Sequence, residues 1–152
     1  MKITDAFLGE HGILYAMLAY LEKTVEIPQS LDVIRGKAEL LDSALSSHAC
    51  IEDQLLFQAL EPRMGPMGPL VVMRQEHDQI EKGLARIIRE IQEVDQAKSL
   101  LIEVVQIALQ HFAKEEQVLF PLAQQILDPQ VLTELTERWA ERRRISDRRY
   151  FE

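Results

Sequence analysis

The chain has 152 residues, 47% of them hydrophobic and 28% charged, which fits one soluble domain with a single sizeable core and excludes a disordered chain. A formal net charge of −8 makes the body a poor candidate for nucleic-acid binding. The single cysteine, Cys50, excludes an internal disulfide and a Cys-rich zinc site.

No secretory signal or membrane-length apolar run is visible, and the expected setting is a reducing cytoplasm. Only six Gly and six Pro interrupt the chain, so long stretches favour helix. Phe7, His11, Leu14, Leu18 and Leu21 form one stripe on a first helix over about residues 4–25, and Pro28 marks a turn. Ser30 is the expected N-cap of a second helix, which Pro62 is expected to close. Residues 63–69 (RMGPMGP) read as a loop. A third helix starts at Pro69 and carries His77 in line with Ile80, Leu84, Ile87 and Ile91. Asp95 is the expected cap of a fourth helix over about 96–127, which Pro121 should bend. Asp128-Pro129 opens a shorter fifth helix to about Ile145.

The expected fold is all-α: an antiparallel up-down-up-down four-helix bundle over residues 1–127, followed by an Arg-rich helix and tail over 128–152. Residues 138–152 carry Arg138, Arg142, Arg143, Arg144, Arg148 and Arg149 against three acids. This end could meet a protein partner. The interleaved Glu134, Glu137 and Glu141 favour a solvated helix with i, i+4 pairs instead.

The chain also repeats itself. HACIEDQLLF from His48 aligns with HFAKEEQVLF from His111, with identities at His, Glu, Gln, Leu and Phe. Glu10-His11 similarly matches Glu76-His77. His48/Glu52 and His111/Glu115 are spaced i, i+4, which puts imidazole and carboxylate on one helix face about 6 Å apart along the axis. Counted from the turns, His11, His48, His77 and His111 lie at one height to within one or two helical turns. A lone histidine on an apolar stripe is more often a hydrogen-bonded core residue than a ligand. Two matched pairs plus two further histidines at the same depth outweigh that reading, because burying them without a metal is costly. Imidazole with carboxylate suits Fe, Mn or Zn, and six ligands exceed one tetrahedral zinc. Two irons, with Glu52 and Glu115 shared between them, fit best. The Glu-x-x-His pairs of ferritin-like bundles are absent: Leu8, Leu45, Arg74 and Ala108 stand three residues before the four histidines.

The pattern H…HxxxE…H…HxxxE, with EEQVLFP at residues 115–121, resembles the hemerythrin HHE cation-binding family over about residues 5–125. The resemblance implies a non-haem di-iron centre (Fe2+/Fe3+) with a bridging oxo or hydroxo group, Zn or Mn being possible substitutes. It carries ligand roles to His11, His48, Glu52, His77, His111 and Glu115, and implies a small ligand such as O2, H2O2 or NO. Oxygen-carrying members have HxxxH on the third helix and Asp on the fourth. Here Met73 and Glu81 flank His77 at i±4 and the fourth helix supplies Glu115, which is similar to four-His, two-Glu relatives linked to iron sensing, peroxide decomposition and nitrosative-stress repair. The functions implied are reaction with O2 or peroxide, or sensing without turnover; no residue is assigned to catalysis.

Among secondary candidates, Glu81, one turn past His77, could add a ligand. Tyr15, one turn past His11, could hydrogen-bond an iron-bound oxygen or ligate iron, core packing being the plainer expectation. Cys50 points away from His48 and is expected to pack against a neighbour. Asp53 and Glu116 are expected to face outward or to support the ligands from outside.

Overall fold

The computed structural model describes residues 1–145, and among them there is helix and no strand. Helix α1 spans Ile3–Thr24. Helix α2 (Leu31–Glu52) runs through a π-helical segment (Asp53–Phe57) into α3 (Gln58–Met64). Helix α4 spans Pro69–Arg89. Helix α5 (Val94–Lys114) runs through a second π segment (Glu115–Leu119) into α6 (Phe120–Ile126). Helix α7 (Pro129–Arg142) completes the described chain. Four rods therefore form the bundle: α1, α2 with α3, α4, and α5 with α6. Helix α7 packs on α1 and beside the first π segment.

The local signals account for most boundaries. Ser30 Oγ accepts the Val33 N–H and caps α2. Three boundaries differ from expectation. Pro62 lies inside α3, and Gly65 ends that helix by taking φ 76°, a conformation open to glycine. Helix α5 begins one residue before Asp95, which falls in its first turn and opposes the helix dipole there. Helix α7 stops at Arg142: Arg144 turns left-handed at φ 57° and the Ile145 N–H returns to the Ala140 carbonyl, closing a Schellman turn.

The π segments fall at equivalent places in the two repeats. Each begins just past or at the repeat glutamate, and each is held by i→i−5 bonds, from Gln58 N–H to Asp53 O and from Phe120 N–H to Glu115 O. The second repeat has Pro121 where the first has Gln58, yet both carry the segment, so the proline is not its cause. The wider turn inserts one residue, so that His48 and Glu52 face inward above it while Leu55, Leu56, Phe57 and Leu60 remain buried below it.

The core consists of two apolar layers. One, at the α1–α2 and α4–α5 turns, includes Leu18, Leu41, Leu84 and Val105. The other, at the α3–α4 turn and under α7, includes Phe7, Phe57, Phe120 and Leu132. Between them lies a polar slab of His11, His48, Glu52, His111 and Glu115, all buried, with His77 at its edge. No helix of the described residues is long and apolar enough to cross a membrane.

Candidate metal centre

Each long rod delivers one histidine to the slab, and the two repeat glutamates follow one turn below theirs. Two groups result. His11, His48, Glu52 and Glu115 offer ligand atoms that all lie within 4.8 Å of one another, as do Glu52, His77, His111 and Glu115. The two glutamates belong to both groups. Glu115 reaches His11 Nε2 with one oxygen (3.2 Å) and His111 Nε2 with the other (2.8 Å). Glu52 Oε2 lies 3.6 Å from His77 Nε2 and 4.0 Å from His48 Nε2.

The outer ring nitrogens fix the proton positions. His48 Nδ1 meets Glu10 Oε2 at 2.6 Å, His111 Nδ1 meets Glu76 Oε2 at 2.8 Å, and His11 Nδ1 meets Glu116 Oε1 at 2.9 Å. Facing carboxylates, these nitrogens carry the hydrogens, so each Nε2 presents a lone pair inward. His11 Nε2 and His48 Nε2 then stand 3.2 Å apart with no proton required between them. Aromatic walls exclude water: Phe112 stacks on His11 (4.2 Å between centroids) and Phe57 on His77 (5.7 Å, 4° between planes). His77 is the most open of the four. It borders a cleft of about 470 Å³ between α2 and α4, lined also by Cys50, Asp53, Arg74 and Glu81.

Burial pushes the Glu52 carboxyl well up, and the neighbouring Glu115 charge adds to this. Burial also acts on Glu115, but the adjoining His11 and His111 rings outweigh it and hold that carboxyl down. Burial lowers His48, and burial with the neighbouring His111 ring lowers His77 to about 4. For His111 the Glu115 and Glu76 carboxylates overcome burial and raise it.

The fit to a metal is tested by what is left unpaired. Both oxygens of Glu52, both of Glu115, His77 Nε2 and His111 Nε2 are buried without a hydrogen-bond partner. Buried polar atoms are otherwise almost always paired, and six orphans in one slab point at a missing common partner. Imidazole nitrogens and carboxylate oxygens are the donor set a cation needs.

A buried cage of histidine and glutamate inside an antiparallel helical bundle defines a cation-binding four-helix protein. The chain belongs to the hemerythrin family: the model for the hemerythrin HHE cation binding domain matches residues 2–123, and again 72–148. No curated protein matches the chain. No solved structure matches it either.

All six expected ligands meet in the slab, whereas Glu81 and Tyr15 belong to neither group. Glu81 is exposed, and the Tyr15 hydroxyl donates to Glu116 at 2.9 Å. Burial and that carboxylate push the Tyr15 phenol up to about 12. Cys50 is exposed beside the cleft rather than packed, and its sulfur accepts from Gln54. Glu116 does support a ligand, whereas its counterpart Asp53 pairs with Arg74 at 2.7 Å. Glu10 and Glu76 were not expected as partners of histidine. The repeated Glu-His dipeptides at 10–11 and 76–77 were the available signal. The i, i+4 pairing expected of the arginines is not what they do: Arg143 binds Glu10 and Arg142 reaches Gln54, and among the described residues neither pairs with Glu134, Glu137 or Glu141. Arg148 and Arg149 lie outside the described residues.

Proposed function

We propose that this is a non-haem di-iron protein in which His11 and His48 would hold one iron and His77 and His111 the other, with Glu52 and Glu115 available to both. The observation that carries the reading is the pair of glutamates shared by both histidine groups, buried and without hydrogen-bond partners. Two irons held there would offer two electrons to a small oxidant such as O2 or peroxide, or a binding position for NO. The chain's own residues set the conditions. Glu10, Glu76 and Glu116 hold the protons on the outer nitrogens of His48, His111 and His11 and keep those three inward nitrogens free to ligate. Phe57 and Phe112 shield the ligands, and the cleft that His48, His77 and His111 border offers a small molecule a way in.

Anaerobic titration with ferrous iron, followed by air, tests this reading. Uptake of two iron ions per chain and appearance of a near-ultraviolet charge-transfer band on oxidation are expected. A reproducible single ion, or none, overturns it. Peroxide turnover by the loaded protein separates an enzyme from a sensor.

A further inference from the structure

The last described helix reaches the slab through a single carboxylate. Trp139 Nε1 donates to Glu10 Oε1 at 2.7 Å. Arg143 Nε donates to the same oxygen at 2.6 Å, and Arg143 Nη2 to Oε2 at 3.0 Å. Oε2 also accepts from His48 Nδ1 at 2.6 Å. Arg143 Nη1 is anchored in turn on Ser47 Oγ, next to His48 on α2. Both Glu10 oxygens are thus fully engaged, by α7 on one side and by a candidate ligand on the other. The pseudo-symmetric Glu76 meets His111 Nδ1 in the same way, but its second partner is Lys114, from the helix that carries His111. Nothing from α7 pairs with Glu76 among the described residues.

We propose that α7 is a one-sided latch: Trp139 and Arg143 position Glu10, Glu10 positions the His48 ring, and α7 thereby sets the affinity of the His11/His48 metal position and not of the His77/His111 position. This rests on the two-ion reading above. A glutamate side chain left to itself samples many rotamers, and ordering it has an entropic cost. Bonds from α7 meet that cost before metal arrives. With Glu10 fixed, the Nδ1 proton and ring plane of His48 are fixed as well, and its Nε2 lone pair stays aimed inward. The apolar side of α7, Leu132 and Leu135, packs separately into the lower layer, so the polar contacts can be removed without undocking the helix.

The test uses Trp139→Phe, Arg143→Gln and their combination in the full chain, with Lys114→Gln as the mirror control. Cobalt(II) serves as the probe, followed by calorimetry and visible absorption. Wild type should bind in two steps. The double variant should weaken one step by about tenfold, the scale on which outer partners of ligating histidines act, and leave the other unchanged. Lys114→Gln should weaken the other step. In metal-free protein, nitrogen-detected NMR should show faster exchange of the His48 Nδ1 proton in the double variant, with the His111 proton as unchanged reference. Equal weakening of both steps, or an unaltered His48 proton, overturns the latch. Wild type that binds one cobalt or none overturns the two-ion reading instead, and the His48 proton then decides the latch alone.

Discussion

His11 Nε2 faces His48 Nε2 at 3.2 Å while the outer nitrogen of each ring is bound to a carboxylate, on Glu116 and Glu10. Two inward lone pairs at that distance repel, and a cation between them removes the repulsion. The same cation partners the orphaned oxygens of Glu52 and Glu115. The first prediction follows from which atoms each ion would share. Glu52→Ala and Glu115→Ala should each lower bound iron from two ions toward none, because each carboxylate serves both groups. His11→Ala and His77→Ala should each lose mainly one. Iron counted after reconstitution checks this, and a Glu115→Ala protein that retains two irons contradicts the shared carboxylate.

Removing metal should destabilise the bundle, since buried groups lose their common partner. At free metal about 100-fold above its dissociation constant, binding contributes roughly 2.7 kcal/mol. For a chain of this size the metal-free protein should melt ~5–10 °C lower. Calorimetric scans of chelator-treated and reloaded protein measure the difference. Equal melting temperatures would place the bound metal outside the slab.

Acid should find Glu10. Burial raises this carboxyl, but hydrogen bonds from His48, Arg143 and Trp139 outweigh it and hold it at about 2 against an ordinary 4.5. The folded state therefore binds its proton later than the unfolded chain. The stability due to the ionised form is complete above about pH 4.5 and is lost as pH falls toward 2. With solvent screening allowed for, its size is ~1–2 kcal/mol. Urea denaturation of metal-free protein between pH 6 and 2 should show a shallower acid loss in Glu10→Gln than in wild type. Parallel curves would mean that the α7 contacts do not stabilise the ionised carboxylate.

Two glycines inside helices should respond to alanine with opposite signs. A Cβ on Gly83 would stand 2.6 Å from Val104 Cγ2, where α4 and α5 approach closely, and a β-branched side chain cannot easily yield. Gly83→Ala should cost ~1–2 kcal/mol even after its gain in helix propensity. Gly36 in α2 has nothing within 4 Å of that point. Gly36→Ala should stabilise by roughly 0.5–1 kcal/mol. Chemical denaturation of the two variants decides the signs.

The sequence by itself determined the rods and the six residues that meet in the slab. Helical periodicity is local, so apolar stripes and the i, i+4 spacing of His48/Glu52 and His111/Glu115 are carried by neighbours along the chain. The turn at Gly65 and the Ser30 cap are local in the same sense, although Pro62 and Asp95 show that a boundary can shift by a residue or two. The tertiary structure decided what each group touches across the bundle. Glu10 serves His48 rather than the adjacent His11, and Glu76 serves His111 rather than the adjacent His77, because consecutive residues on a helix diverge by about 100° and point to different neighbours. Glu116 found His11 across 105 residues, while its repeat counterpart Asp53 was taken by Arg74. Cys50 stayed exposed because the wall of the open cleft lies there. Trp139 and Arg143 met Glu10 only because α7 folds back over α1, a matter of where rods cross, which no periodicity within a single rod encodes.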